Sequence, residues 1–300
     1  MNNDQYEFLE KVHESNLRIL KDVDRVCKKH HIQYFLHGGS FLGALRHKDF
    51  IPWDDDVDIT MKRADYERFL EVYPSEKTSK MKLLRFEDYP QFFDFISKVA
   101  DESVTYENTV YGDEDYYEGR YSHPTLDIFV LDEIGTNHKA QLMKLKLIYA
   151  LAMGHRKDID FSKFKGIMFI ASHVLSFVGS KMSFWSIAQM YKKAQILGDS
   201  EEFLEFKESD FEQSKELEIE EIHREPMTND LFLSNEQPDP RYWGLIYDKE
   251  MYYRGHNELI RDEKYPAPYE SDKWMKMVYG DYMTLPEESK RVPQHVRKIV

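Results

Sequence analysis

Four aspartates, Asp54, Asp55, Asp56 and Asp58, fall within five positions of one another in this 300-residue chain. Crowded carboxylates repel, so a folded chain keeps them together only where a cation or hydrogen-bond donors compensate. In an extended strand alternate residues point to the same side. Asp56 and Asp58 would then offer two oxygen donors side by side, the ligand type a hard divalent cation such as Mg²⁺ prefers, with Mn²⁺ as the alternative. Upstream lies His37-Gly38-Gly39-Ser40. Glycine lacks a Cβ, so such a turn lets backbone amides approach an anionic ligand. Amides for a phosphate beside carboxylates for a metal point to phosphoryl-transfer chemistry.

A third acid stands apart in the chain. The run Thr125 to Leu131 is apolar except for Asp127. A carboxylate in an otherwise buried strand is expensive without a cation or hydrogen-bond partner. Asp127 is therefore read as the third member of the acidic set; the alternative is an outward-facing, edge or turn-capping position. Asp54 and Asp55 precede the strand and are expected to support the loop. Trp53 and His37 are read as packing and hydrogen-bonded structural groups.

The elements that must position these residues are legible in part. Leu9, Val12, Leu17, Leu20, Val23 and Cys27 recur at helical spacing, which predicts an amphipathic helix over Asp4–Lys29. Ile32–Leu36 reads as a strand, Ser40 as a helix N-cap and Phe41–Arg46 as the helix that follows. Val57–Met61 is expected as a strand and Arg63–Val72 as a helix with Tyr66, Phe69 and Leu70 on one face. Met81–Phe86, Phe92–Ala100 and Ser103–Tyr106 read as strands, Thr136–Tyr191 as largely helical. The segment Tyr265–Arg291, with Tyr279-Gly280-Asp281-Tyr282, reads as a docked terminal segment.

Composition bounds the class. Hydrophobic residues make up 41% and aromatics 14%, as in a globular protein, and the net charge of -14 argues against a nucleic-acid partner. A single cysteine, Cys27, suits a reducing compartment, and the N-terminal residues lack the apolar core of a signal peptide. The expected location is cytoplasmic. Charge is uneven: Lys139–Lys193 carries ten Lys/Arg and two acids, a net +8 that leaves the remainder at -22. Inside it lies the apolar run Gly166–Gly179, too short to span a bilayer. It reads either as a buried helix with a solvated basic flank or as an element facing a membrane surface or polyanion at the inner face of the membrane. Residues 199–225 hold twelve acids against three bases and read as a solvated face or connector.

The two motifs Gly38-Gly39-Ser40-Phe41-Leu42-Gly43-Ala44-Leu45-Arg46 and Ile51-Pro52-Trp53-Asp54-Asp55-Asp56-Val57-Asp58-Ile59 resemble the LicD family, related to the eukaryotic fukutin group. Leu126-Asp127-Ile128-Phe129, Tyr265-Pro266-Ala267-Pro268 and Tyr279-Gly280-Asp281-Tyr282-Met283 extend the resemblance over roughly residues 10–135 and 240–295. The resemblance implies an α+β fold: a nucleotidyltransferase-like core of the polymerase-β type, with a mixed sheet flanked by helices, a helical insertion and a docked C-terminal segment. The corresponding boundaries are 1–135 for the core, 136–225 for the insertion and 226–300 for the C-terminal segment. It implies transfer of a phospho-alcohol group, phosphocholine from CDP-choline, to a sugar hydroxyl of a teichoic acid, capsule or lipopolysaccharide type of glycan, free or lipid-linked, with release of CMP. Alternatives are CDP-glycerol or CDP-ribitol as donor, or an NTP-using nucleotidyltransferase. Asp56, Asp58 and Asp127 would be the catalytic and metal-binding acids, with Asp127 also the general base. Gly38, Gly39 and Ser40 would hold phosphate; Arg46 and Lys98 are cationic candidates; Tyr279 and Tyr282 are the tail residues expected to face the donor.

Overall fold

The computed structural model describes residues 3–89, 95–107, 121–133, 138–156, 161, 166–196, 231–234, 246–248, 250–253, 255–293 and 298–299. Helix α1 spans Asn3–His30 and ends on Lys28, Lys29 and His30, cations that suit the negative end of the helix dipole. Its apolar stripe is the one the spacing predicts: Leu9, Val12, Leu20, Val23 and Cys27 are all buried. A short strand β1 (Phe35–Leu36) leads into α2 (Gly38–His47), then β2 (Val57–Lys62), α3 (Arg63–Glu76) and β3 (Met81–Leu84). After these come β4 (Ser97–Asp101), β5 (Tyr106–Glu107), β6 (Tyr121–Ser122) and β7 (Thr125–Glu133).

Three helices follow, α4 (His138–Ala152), α5 (Ile167–Gly179) and α6 (Phe184–Gln195). The remaining elements are β8 (Leu231–Ser234), β9 (Ile246–Asp248), α7 (Glu250–Tyr253), β10 (His256–Ile260), β11 (Glu263–Ala267), α8 (Ser271–Tyr279) and β12 (Lys298–Ile299). The architecture is thus α+β, with a mixed sheet flanked by helices. The central path runs β1-β2-β7-β4-β3, and β8 pairs with β7 and β9. Only β2 and β7 pair in parallel along that path; their neighbours are antiparallel. Val57, Ile59 and Met61 alternate into the core on one face of β2, leaving Asp58 on the other.

The elements β11 and α8 pack on the core. Tyr265, Ala267, Trp274 and Met275 lie in the same hydrophobic core as Phe41, Val57 and Ile128. The Trp274 indole donates to the Tyr252 hydroxyl at 2.9 Å. The helical layer is tied to the sheet by a buried polar network. The Arg63 guanidinium, at the start of α3, donates to both Asp132 oxygens at 2.8 and 2.6 Å and to the Gln195 side chain at 3.1 Å.

Three local expectations are corrected. Ser40 is not the N-cap of α2: the helix begins at Gly38, His37 holds the extended cap position, and Ser40 lies inside the first turn. Its hydroxyl is turned to β2 instead, as described below. The Gly166–Gly179 run does form a helix, but the buried-helix alternative does not hold: among its described large apolar side chains only Leu175 packs on the core. Phe169, Ile170, Val174, Phe177 and Val178 are exposed. The strand expected over Phe92–Ala100 begins at Ser97; residues 90–94 and the acidic stretch 199–225 lie outside the described residues.

Candidate active site

The acids are brought together by register. In the parallel β2–β7 pair, Asp58 stands opposite Asp127; in the antiparallel β4–β7 pair, Lys98 stands opposite Asp127. Partners on one rung share a face, so Lys98, Asp127 and Asp58 form a row across three strands. The Lys98 ammonium donates to Asp127 Oδ2 at 2.5 Å, and both groups are largely buried. The Thr125 hydroxyl reaches Oδ1 of the same carboxylate at 3.4 Å. This ion pair is the compensation that a buried acid in an apolar strand requires.

The start of α2 grips the backbone of Asp58 from both sides. The His37 amide donates to the Asp58 carbonyl at 3.0 Å, and the Asp58 amide donates to Ser40 Oγ at 2.8 Å. The glycines are needed here for close approach. Gly38 has φ +51°, and a Cβ added to it would lie 2.8 Å from Asp58 Oδ2. A Cβ on Gly39 would collide with Asp54 Oδ2. The turn is therefore pressed directly against two of the carboxylates, a constraint the sequence pattern alone does not display.

Electrostatically the site is overloaded with negative charge. The Asp58 carboxyl is held well above the ordinary carboxylate range, first by burial, then by Asp56, Asp127 and Asp54; Lys98 opposes the shift. Asp54, Asp55 and Asp56 each place one oxygen within 4.8 Å of the others. Asp55 is buried, and Asp54 and Asp56 are half-buried. The structure thus groups Asp56 with Asp54 and Asp55 and sets it near enough to Asp58 to perturb it.

The remaining candidates divide between this cluster and the tail. Arg46 donates to the Tyr282 carbonyl at 2.7 Å and to His47 at 3.0 Å, so its guanidinium anchors the C-terminal segment. Arg46 and Arg291 lie 6.0 and 5.5 Å from the Trp53 ring centroid. The Tyr282 hydroxyl donates to Asp272 at 3.2 Å. Tyr279 is the tail aromatic that reaches the glycine turn; its hydroxyl would be 3.8 Å from a Cβ on Gly38. His37 packs between Phe129 and Trp274, with centroids 4.8 and 5.4 Å away.

One supporting residue was not anticipated. His13 of α1 is buried, and its Nε2 donates to the Asp54 carbonyl at 2.7 Å. Burial lowers its pKa, partly offset by that hydrogen bond, so the neutral ring is favoured. It occupies a helical position next to Val12, and no local sequence signal marks it.

The family described as "LicD/FKTN/FKRP, nucleotidyltransferase domain" matches residues 31–165, the span holding the turn, all four clustered aspartates, Lys98 and Asp127. The chain thus carries a LicD-family domain and is a LicD-like enzyme. It is 27% identical over 290 residues to "Lipopolysaccharide cholinephosphotransferase LicD" of Haemophilus influenzae, covering 94% of each chain. It is also 49% identical over 47 residues to "Ribitol 5-phosphate transferase FKRP" of Homo sapiens, which covers 14% of this chain and 10% of that protein. The second relationship is the one anticipated with the fukutin group.

Proposed function

We propose that this protein transfers a phospho-alcohol group, phosphocholine from CDP-choline, to a sugar hydroxyl of a cell-surface glycan, releasing CMP. The observation that carries the reading is the shared rung of Asp58 and Asp127 beneath the Gly38–Ser40 turn. The full-length similarity to a named lipopolysaccharide cholinephosphotransferase supports the cargo and a glycan acceptor. The core is read as a nucleotidyltransferase-like fold, in keeping with the family's description.

The donor set suits a hard divalent cation. Carboxylate oxygens of Asp54, Asp55 and Asp56 converge beside Asp58, and burial together with these like charges at Asp58 is the kind of strain a dication relieves. Asp56, Asp58 and Asp127 would hold Mg²⁺, or Mn²⁺ in its place. The ion would supply charge neutralisation at the transferring phosphoryl group.

This chain's residues account for the other requirements. The Gly38–Ser40 amides stand at the N-terminal end of α2, where the helix dipole favours phosphate. The Lys98 ammonium donates to Asp127 and fixes its carboxylate on the rung it shares with Asp58. Asp127, as carboxylate, accepts the proton of the acceptor hydroxyl while that oxygen attacks the phosphorus next to choline. The bond from this phosphorus to the bridging oxygen breaks, and CMP leaves with that oxygen. Tyr279, beside the turn, supplies an aromatic face of the kind that binds a quaternary ammonium.

A ribitol-phosphate cargo is the second reading, favoured by the local identity to the ribitol 5-phosphate transferase. Calorimetric titration with CDP-choline, CDP-glycerol and CDP-ribitol decides the cargo, and product analysis decides the reaction. Binding of CDP-choline with CMP release supports the proposal. Pyrophosphate release from an NTP would instead make the protein a nucleotidyltransferase.

A further inference from the structure

Helix α5 is built inside out for a helix in water. Its inward side carries Ser172, Ser176 and Gly179 beside Leu175, which packs on the core formed with α4 and α6. Ser172 and Ser176 are buried. Gly179 packs so closely on α4 that an added Cβ would collide with the Leu151 carbonyl oxygen, and one on Gly154 would collide with that of Ser176. Most of its described large apolar side chains face outward instead: Ile170 is 64% exposed, Val174 56% and Phe177 68%. These three follow i, i+4, i+7 spacing, so they form one stripe, with Phe169 and Val178 beside it. An exposed apolar stripe of this kind marks an interaction surface.

The charge around the stripe is matched to a particular partner. Lys181, just past the helix end, holds its ammonium 5.6 Å from the Phe177 ring centroid. It thus sets a cation at the edge of the apolar surface. Lys139–Lys193 carries +8 in a chain whose remaining residues total -22. This basic segment of an acidic protein is therefore the one that carries the exposed stripe of α5.

The geometry points to α5 as a membrane-docking helix that lies flat on an anionic lipid bilayer. The stripe enters the boundary between headgroups and acyl chains, and Lys181 stays among the headgroups. A 13-residue helix is about 20 Å long, shorter than the ~30 Å hydrocarbon core. No described helix is long and apolar enough to cross a membrane. A soluble polyanion would engage the lysines but leave the stripe in water. A second copy would cover the stripe but bring two basic segments together. Docking would also orient the acidic row, because α6 is tied through Gln195 and Arg63 to Asp132 of β7, the strand that carries Asp127. The inference does not depend on the proposed donor or cargo.

The test is co-sedimentation of the full chain with vesicles of phosphatidylcholine alone and of phosphatidylcholine mixed with phosphatidylglycerol. The wild type should pellet with the mixed vesicles and much less with the neutral ones. Ile170→Asp with Phe177→Asp should lower binding roughly tenfold or more, with unchanged circular dichroism and melting temperature, since both side chains are exposed. Lys181→Glu, a milder change, should weaken binding to the anionic vesicles alone. Turnover on a soluble acceptor should be unaltered in all of these variants, so docking and catalysis are read separately. Failure of the wild type to pellet, equal pelleting by the aspartate variant, or equal binding to both vesicle types would overturn the inference. So would a concentration-dependent dimer that the same substitutions dissociate.

Discussion

Asp58 and Asp127 occupy the same rung of a parallel strand pair. Their strands are separated in the chain by α3, β3, β4, β5 and β6, so the juxtaposition is created by sheet topology. Lys98 completes the rung from the other side of β7. The row leaves one acid compensated by an ammonium and the other facing like charges. In the proposed mechanism this asymmetry suits Asp127 to accept the acceptor's proton and Asp58 to help hold the cation.

Asp58→Asn and Asp127→Asn should each lower the transfer rate by about 10²-fold or more. Removing Asp58's charge relieves crowding by Asp56, Asp127 and Asp54, so its melting temperature should not fall. Rate assays at saturating donor, paired with thermal denaturation, check both statements. A wild-type rate in either variant would remove that residue from the site.

Mg²⁺ binding should stabilise the folded chain, because a ligand that prefers the native state raises the melting temperature. Titration monitored by differential scanning fluorimetry should show a saturable rise in the wild type, abolished in Asp58→Asn. An equal rise in both would show that the ion binds elsewhere.

Gly38→Ala should be damaging in two ways. Alanine at φ +51° costs about 1–2 kcal/mol through its left-handed conformation, and its methyl would press on Asp58 Oδ2. Urea denaturation should report the stability loss, and the transfer rate should fall further than that loss explains. Unchanged kinetics would separate the turn from the acids.

The Arg63–Asp132 pair offers a stability test away from the chemistry. Asp132→Asn removes the closest charge partner of the buried guanidinium, leaving only the longer contact to Glu67 at 3.5 Å, at a cost of about 3 kcal/mol. Replacing both residues together with apolar side chains of similar volume should recover much of it. Equilibrium unfolding of the single and double variants measures the difference.

Asp101 should contribute a pH-dependent increment. Burial pushes its carboxyl up, but hydrogen bonds from Ser103, Ser15 and Arg18 outweigh burial and hold it below its ordinary value. A depressed folded-state pKa stabilises the protein above the unfolded value, about pH 4, and this contribution is lost as the pH falls through the folded value. The stability gap between wild type and Asp101→Asn should therefore be widest near neutrality and shrink in acid. A gap independent of pH would contradict the assignment.

Several elements were legible in the residues themselves. The stripe of α1, the bounds of β2 and the apolar run of β7 follow from periodicity, which is a local property. Asp127 was conspicuous because a lone acid in an apolar strand demands a partner. Lys98 was visible as a cation in a strand, but its pairing was not, since register is set by the whole sheet. Ser40 misled for a related reason. Serine before a helical run usually caps it, whereas here Asp58's amide claims the hydroxyl and His37 takes the cap position.

What the sequence determined by itself was chemical: a glycine turn, clustered acids and a lone buried carboxylate, all specified by residue type and near-neighbour spacing. Tertiary structure alone decided the rung shared by Lys98, Asp127 and Asp58, and the bond from His13 to the Asp54 carbonyl. It also decided the outward face of α5, whose apolar length was plain but whose orientation was not. Each of these depends on contacts between segments distant in the chain, where packing and strand register, not local preference, set the outcome.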